Sequence, residues 1–140
     1  MSAENKAVVR RLIEAFNEGR LDDAAALLAE GYVYRGPSGD LYGPQGWKQL
    51  AAVYRAAFPD IVLTIDQQIA EADTVATRFT ARGTHRGALA GIAPTGRFIT
   101  LPCLLMTRLV RGIIVEDFEQ FDQLGMFQAI GKLPAIATSV

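Results

Sequence analysis

The sequence predicts an α+β domain, a cone-shaped barrel in which three N-terminal helices pack on a curved, mostly antiparallel sheet and a short helix ends the chain. Two observations favour this class. Apolar residues recur at three- and four-residue steps as far as Phe58, whereas they alternate along the segments after Ile61. The chain has 140 residues, half of them hydrophobic, which is enough for one core. We therefore expect residues 1–140 to form a single domain.

Three helices account for the first part of the chain. The first is expected at residues 3–17, where the apolar residues share one face. A shorter second helix follows, with two aspartates favouring its start and Gly31 marking its end. The third begins at Pro44, since proline suits a first helical position, and ends at Pro59. Each helix needs a partner surface for its apolar face.

Strands are expected where apolar and polar residues alternate. A short strand covers Tyr32 and Tyr34, and the turn residues at positions 36–40 indicate a loop after it. Longer strands are predicted at residues 61–69, 75–81 and 98–109, with a last strand after the turn at Arg111 and Gly112. The spacing of Leu124, Phe127 and Ile130 then predicts the short C-terminal helix.

A carboxylate on the last strand is the strongest functional signal. Asp122 lies among residues that otherwise suit a core. With Arg111 and Gly112 as the turn, the hairpin register places Leu109 opposite Ile114, Leu105 opposite Phe118, Cys103 opposite Gln120, and Leu101 opposite Asp122. Asp122 would then lie on an apolar wall. Desolvation there can raise the pKa of a carboxyl group by about 3 to 5 units, which would make Asp122 a proton-transfer group near neutral pH.

Composition excludes several classes of partner. The formal net charge of −1 gives no electrostatic footprint for nucleic acid or an anionic membrane. The single cysteine, Cys103, cannot form an internal disulfide and is expected to be a small core residue. The N-terminus lacks the apolar core of a signal peptide, and no apolar run reaches membrane-spanning length. We expect a cytoplasmic protein without nucleic-acid or membrane partners.

Four motifs carry a resemblance to a known family. They are Arg78-Phe79, then Gly83-Thr84-His85-x-Gly87, then Gly91-Ile92-x-Pro94-Thr95-Gly96, then Ile114-Val115-Glu116-x-Phe118-x-x-x-Asp122-x-x-Gly125. In this order and spacing they resemble the SnoaL-like polyketide cyclase (ester cyclase) family of the nuclear-transport-factor-2-like superfamily. The likeness extends over residues 5–131, nearly the whole chain.

The resemblance implies a deep apolar pocket, no metal or organic cofactor, and a homodimer packed through the sheet. It also implies an enzyme in which Asp122 is the general base of an intramolecular aldol ring closure on a bulky, apolar carbonyl compound. The family's cyclases place a histidine on the strand that faces this aspartate, where this chain has Leu105 and Met106. His85 and Arg78 are the other candidate catalytic residues. The expected substrate-binding residues are Tyr32, Tyr34, Trp47, Tyr54, Leu101, Cys103, Leu105, Phe118 and Gln120.

Each catalytic candidate also has a structural interpretation. Asp122 could cap the C-terminal helix. His85 could fix the corner between a strand and a loop, and Arg78 could form a surface ion pair with a residue such as Glu116 instead of facing the pocket. Two further functions stay open at this point. One is a proton shuttle like that of ketosteroid isomerase, with Asp40 as base, and the other is a non-catalytic module that binds a hydrophobic small molecule in the same cavity.

Overall fold

The computed structural model describes residues 2–131, so residue 1 and residues 132–140 of the expected domain lie outside it. Its elements are α1 (Ser2–Asn17), α2 (Leu21–Ala25), β1 (Leu28–Gly36), β2 (Gly39–Tyr42), α3 (Gly43–Ala57), β3 (Val62–Glu71), β4 (Thr74–Thr84), β5 (Phe98–Val110), β6 (Ile113–Phe121) and α4 (Gln123–Ala129). The predicted class is confirmed: helices come first, a sheet follows, and a short helix comes last.

One curved sheet of six strands forms the wall of the cone. The strand order is β2-β1-β6-β5-β4-β3, and all neighbours are antiparallel except β1 and β6, which are parallel. α1 packs on β3 and α3 packs on β1, so both helices cover the same concave face. Side chains along β5 alternate between buried and exposed without a break, as expected of a strand with one face in the core.

Two local predictions differ from the structure. α2 ends at Ala25, and Leu28 already begins β1, whereas the second helix was expected to continue to Gly31. The segment predicted as a loop after Tyr34 contains the short strand β2, which forms a hairpin with β1. The turn residues of this segment were correctly identified, but the pairing of Leu41 with Tyr34 depends on β1 being longer than the local pattern indicates.

Within residues 2–131, no helix is long and apolar enough to cross a membrane. The cytoplasmic location remains a prediction.

The register of the β5–β6 hairpin is the most important correction. Leu109 pairs with Ile114 as predicted, but Arg108 pairs with Glu116, so Val115 is an extra residue in β6. Such a bulge shifts every later pair by one position, and a shift by one exchanges the two faces of a strand. The predicted pairs beyond Leu109 are therefore wrong. The inward-facing residues of β6 become Asp117, Glu119 and Phe121 in place of Phe118, Gln120 and Asp122.

Candidate active site

A cavity of about 120 Å³ lies between the concave face of the sheet and the helices. Aromatic and aliphatic side chains form most of its wall: Leu12, Ile13, Phe16, Trp47, Leu50, Ala51, Ile61, Leu63, Phe79, Ala81, Leu101, Leu105 and Phe121. Five residues with ionisable side chains complete it: Tyr34, Tyr54, Cys103, Asp117 and Glu119. None of the described lining residues is a lysine, arginine or histidine. The site therefore combines an apolar enclosure with two carboxyl groups.

Two tyrosine–carboxyl pairs connect β1 to β6. The Tyr32 hydroxyl donates to Oδ2 of Asp117 at 2.6 Å, and the Tyr34 hydroxyl donates to Oε1 of Glu119 at 2.5 Å. Residues two apart on a strand share a face, and β1 runs parallel to β6, so the two pairs lie in the same orientation one above the other. Burial and the neighbouring carboxylates raise the pKa of both tyrosines, which therefore stay protonated donors.

Asp117 is the more deeply buried of the two carboxyl groups, and it is called the inner one below. It is only 4% exposed, and its second oxygen, Oδ1, accepts a hydrogen bond from the Thr107 hydroxyl at 2.6 Å. Burial raises the pKa of Asp117 to about 6, although the hydrogen bonds from Thr107 and Tyr32 act in the opposite direction. Both oxygens are thus held by hydroxyl donors, which leaves this carboxyl group fixed in place.

Glu119 is the outer carboxyl group, and it faces the cavity while half-buried. The pKa of Glu119 is raised to about 7, mainly by burial. The nearby Asp117 also raises this pKa, whereas the hydrogen bond from Tyr34 lowers it. Among residues 2–131, no hydrogen bond to its other oxygen, Oε2, is found. A carboxyl group with a near-neutral pKa and a free oxygen toward an apolar cavity can take up and return a proton at neutral pH.

Three neighbours shape the surroundings of Glu119. Leu105 is its direct partner across β5 and β6, so an aliphatic side chain occupies the position opposite the carboxyl group. The pKa of Tyr54 is raised to about 12 by burial and by Glu119, which keeps its hydroxyl protonated. Burial likewise raises the pKa of Cys103 to about 12, so its thiol is not an activated nucleophile.

Gly36 leaves the space that the Tyr34 ring occupies. A Cβ atom added at Gly36 would lie 2.4 Å from Cε1 and 2.5 Å from the hydroxyl oxygen of Tyr34. Real side chains do not approach that closely, so any larger residue would displace the ring. The hydrogen bond between Tyr34 and Glu119 thus depends on glycine two positions along the same face of β1.

The expected position of Asp122 is wrong. The residue is exposed, and its Oδ1 accepts a hydrogen bond from the backbone N–H of Gly125 at 2.8 Å. It is the N-cap of α4, which confirms the structural interpretation of this residue. There are two physical reasons: the bulge at Val115 exchanges the faces of the later residues of β6, and the strand ends at Phe121, directly before α4.

The other two catalytic candidates also lie away from the cavity. His85 is fully buried at the end of β4, where its Nδ1 accepts a hydrogen bond from the backbone N–H of Thr95 at 3.2 Å. Its own backbone N–H donates to Arg97 and so fixes the strand-to-loop corner. Arg78 points outward, with Nη1 3.7 Å from Oδ2 of Asp66, so the expectation that it faces the pocket is wrong. Its partner is Asp66 and not Glu116.

The predicted substrate-binding residues divide into three groups. Those that line the cavity are Tyr34, Trp47, Tyr54, Leu101, Cys103 and Leu105. Tyr32 lies outside the lining and contacts it through Asp117. Phe118 and Gln120 are exposed on the opposite face of the sheet, and their expected place in the pocket is wrong because of the shifted register. Contact of any of these residues with a substrate remains a prediction.

Sequence reasoning missed both carboxyl groups of the site. The alternation from Ile114 assigned Asp117 and Glu119 to the outer face. One signal could have found them: two tyrosines spaced by two residues on β1 match two carboxyl groups spaced by two on β6. Within the described range, no group of three or more potential metal ligands is close enough to hold a metal ion.

A second hollow of about 150 Å³ adjoins the cavity. The two share Tyr34, Leu50, Tyr54 and Phe121, and the β1–β2 turn at residues 37–41 forms the remaining wall of the second. Tyr54 and Phe121 meet edge to face there, with ring centroids 6.4 Å apart. Asp40, the base of the isomerase hypothesis, lies in this outer hollow and pairs with Arg35 at 2.8 Å.

The chain matches known proteins over most of its length. The sequence profile of the SnoaL-like polyketide cyclase family matches residues 6–130. The aklanonic acid methyl ester cyclase AcmA of Streptomyces galilaeus is 30% identical over 133 residues, which are 93% of this chain and 92% of AcmA. The aklanonic acid methyl ester cyclase DnrD of Streptomyces peucetius is 27% identical over 129 residues, 89% of each chain.

Solved structures show the same fold. AclR of Streptomyces galilaeus, a candidate hydroxylase, superposes with a TM-score of 0.88 at 27% identity. The aligned region is 99% of this chain and 91% of the AclR chain. IdmH of Streptomyces antibioticus, a candidate polyketide cyclase, gives a TM-score of 0.79 at 33% identity over 91% of this chain and 98% of IdmH. Similar folds therefore carry different assigned activities, and the residues of the site must support any specific reaction.

Proposed function

Because this chain belongs to the SnoaL-like polyketide cyclase family, we propose that it catalyses an aldol-type ring closure of a polyketide ester, with Glu119 as the general base. The observation that carries this proposal is the position of Glu119. It lies in an apolar cavity, its pKa is raised to about 7, and Tyr34 holds one of its oxygens while the other is free. Asp122, the base expected from the sequence, has no access to the same cavity.

The proposed reaction begins at a carbon flanked by two carbonyl groups. Oε2 of Glu119 removes a proton from that carbon, and the electrons of the broken C–H bond form an enolate. The enolate carbon then attacks a ketone carbonyl of the same molecule, which forms the new C–C bond and an alkoxide. Glu119 returns its proton to the alkoxide, so no proton is gained or lost overall. The apolar wall favours the reaction because it excludes water and holds the substrate in the bent conformation that ring closure needs.

Two tyrosines support this role. Tyr34 fixes the orientation of the Glu119 carboxyl group from β1. Tyr54 lines the cavity from α3 and keeps its proton, so it can donate a hydrogen bond to the enolate oxygen. The family's cyclases have a histidine on the strand opposite the base, and here Leu105 occupies the place opposite Glu119. We expect the tyrosines to take over the donor role that this histidine would have.

The charge of the cavity indicates the class of substrate. Two carboxyl groups face the cavity, and the described lining residues include no cationic side chain. A carboxylate substrate would be repelled, whereas an ester is neutral and retains the acidic C–H group that the reaction needs. The names of the relatives AcmA and DnrD are consistent with an ester substrate, since both refer to a methyl ester. A molecule larger than the inner cavity would extend into the outer hollow, past Tyr54 and Phe121, which line both spaces.

The outer face of the sheet supports the proposed homodimer. On β5 and β6, the apolar side chains that are exposed there by 42% or more are Phe98, Leu104, Met106, Val110, Ile113 and Phe118. Met106 and Phe118 are direct cross-strand partners, so the two form a continuous surface. A second copy of this chain, packed with its own outer face on this one, would remove these side chains from water.

Two variants test the base. With aklanonic acid methyl ester as the trial substrate, Glu119→Gln is expected to lower kcat by at least about 100-fold, since it removes the base and preserves the shape. Asp122→Asn is the matched control and should stay within a few-fold of the wild type. Loss of activity in Asp122→Asn alone would assign the base to Asp122 and contradict the proposal. Binding of the ester without turnover by the wild-type protein would support a non-catalytic binding module.

A further inference from the structure

A second buried carboxyl group lies beside the proposed base and has no part in the reaction steps above. Asp117 is two residues before Glu119 on the same face of β6, and it also faces the cavity. Hydroxyl groups of Tyr32 and Thr107 occupy its two oxygens at 2.6 Å each. Asp117 is therefore poorly placed to take a proton from carbon. Its fixed position and its burial still give it a strong electrostatic influence.

We propose that Asp117 is a positioning residue that makes Glu119 a stronger base, because its buried negative charge, held by Tyr32 and Thr107, favours the proton on Glu119. This inference rests on the proposed function of Glu119. Under this inference, the Tyr32–Asp117–Thr107 cluster raises the basicity of Glu119 in addition to joining β1, β5 and β6 by hydrogen bonds. The two Tyr–carboxyl pairs would then be unequal partners: the inner one supplies charge, and the outer one exchanges the proton.

Among residues 2–131, few other groups can disturb this pair. The ionisable side chains of this part of the chain that face it are Tyr32 and Tyr34 from β1, Tyr54 from α3 and Cys103 from β5, all neutral near pH 7. The side chains that α1 contributes to the cavity wall, Leu12, Ile13 and Phe16, carry no charge. Glu116 lies next to Asp117 in the sequence, and Arg35 at 3.1 Å and Arg108 at 3.4 Å pair with it. We therefore expect the titration of Glu119 to depend mainly on the charge of Asp117.

The expected size of the effect follows from the spacing. Residues two apart on a strand are separated by about 7 Å, and two charges at that distance in a protein environment shift each other's titration by about one to two pH units. Asp117→Asn preserves the shape and removes the charge; its amide oxygen accepts a hydrogen bond from one of the two hydroxyl groups, and its NH2 group donates to the oxygen of the other. We therefore expect Glu119 to lose its proton one to two pH units lower in this variant than in the wild type.

The test follows the Glu119 carboxyl carbon by NMR in ¹³C-labelled, ligand-free protein, with Glu119→Gln used to assign its signal. Thr107→Val is a second variant that removes one hydroxyl donor and keeps the side-chain shape. It should let Asp117 hold its proton to higher pH and so shift the Glu119 titration in the same direction by a smaller amount. Thr107→Ser retains the hydroxyl group and should titrate like the wild type.

Turnover provides the second readout. The acidic limb of the kcat–pH profile of Asp117→Asn should move to lower pH by the same amount as the NMR titration, with a lower plateau because the base is weaker. An unchanged Glu119 titration in both Asp117→Asn and Thr107→Val would overturn the inference. If the titration shifts while Glu119→Gln keeps full activity, the electrostatic coupling is supported and it is the proposed base that fails.

Discussion

Replacing Glu119 with glutamine should change how the stability of the protein depends on pH. The pKa of Glu119 is raised from the ordinary 4.5 to about 7, so the folded protein binds this proton more tightly than the unfolded chain does. The resulting stabilisation is fully present below about pH 4.5 and is lost as the pH rises through 7. At 1.36 kcal/mol for each pKa unit, Glu119 lowers the free energy of unfolding by about 3 kcal/mol over that interval.

Glu119→Gln is neutral at every pH and lacks this dependence, while its amide oxygen can still accept the hydrogen bond from Tyr34. Its unfolding free energy, relative to that of the wild type, should therefore increase by about 3 kcal/mol between pH 4.5 and pH 8. Urea denaturation at several pH values, monitored by circular dichroism, measures both curves. The exposed Asp122→Asn variant serves as a control for the loss of a carboxyl group. Parallel curves for Glu119→Gln and the wild type would refute the assignment of Glu119 as a desolvated carboxyl group.

Three further variants test the geometry of the site and of the outer face. Leu105→His places an imidazole opposite Glu119 and should increase deuterium exchange at the acidic carbon of a 3-oxo ester, measured by mass spectrometry; an unchanged rate would argue against this pairing. Gly36→Ala should displace Tyr34 and destabilise the protein by about 1 to 3 kcal/mol in urea denaturation, whereas Gly31→Ala, with open space around it, should have little effect. Met106→Glu should convert the expected dimer to a monomer in light scattering, while Val53→Glu, equally exposed at 50% on α3, should not; a dimeric Met106→Glu would place the interface elsewhere.

Periodicity was sufficient to predict the fold class because it records which face of each element is buried. The helical spacing before Phe58 and the alternation after Ile61 describe contacts with one core, and the core has the expected arrangement. The parallel pairing of β1 with β6 could not be predicted in this way. It joins segments about 80 residues apart in sequence, and no local pattern specifies which strand edges meet.

The site was predicted only in part for a related reason. Trp47, Tyr54 and Leu101 were correctly expected near the cavity, since each lies on the inward face of a long, regular element. The carboxyl groups were missed because their orientation depends on one extra residue, Val115. A bulge leaves the composition and hydrophobicity of a strand unchanged, so alternation counted from Ile114 gives the wrong face for every later position.

The bulge also determines which chemistry the cavity can support. Without it, the inward face of β6 would carry Phe118, Gln120 and Asp122, and the last of these lies beyond the strand where the N–H groups of α4 compete for its oxygens. With it, Glu119 comes opposite Leu105 and within reach of Tyr34, where an apolar partner and a single hydroxyl donor leave one carboxyl oxygen free. A proton acceptor needs a site that disfavours its charge yet holds it in one orientation, and only the second arrangement supplies both.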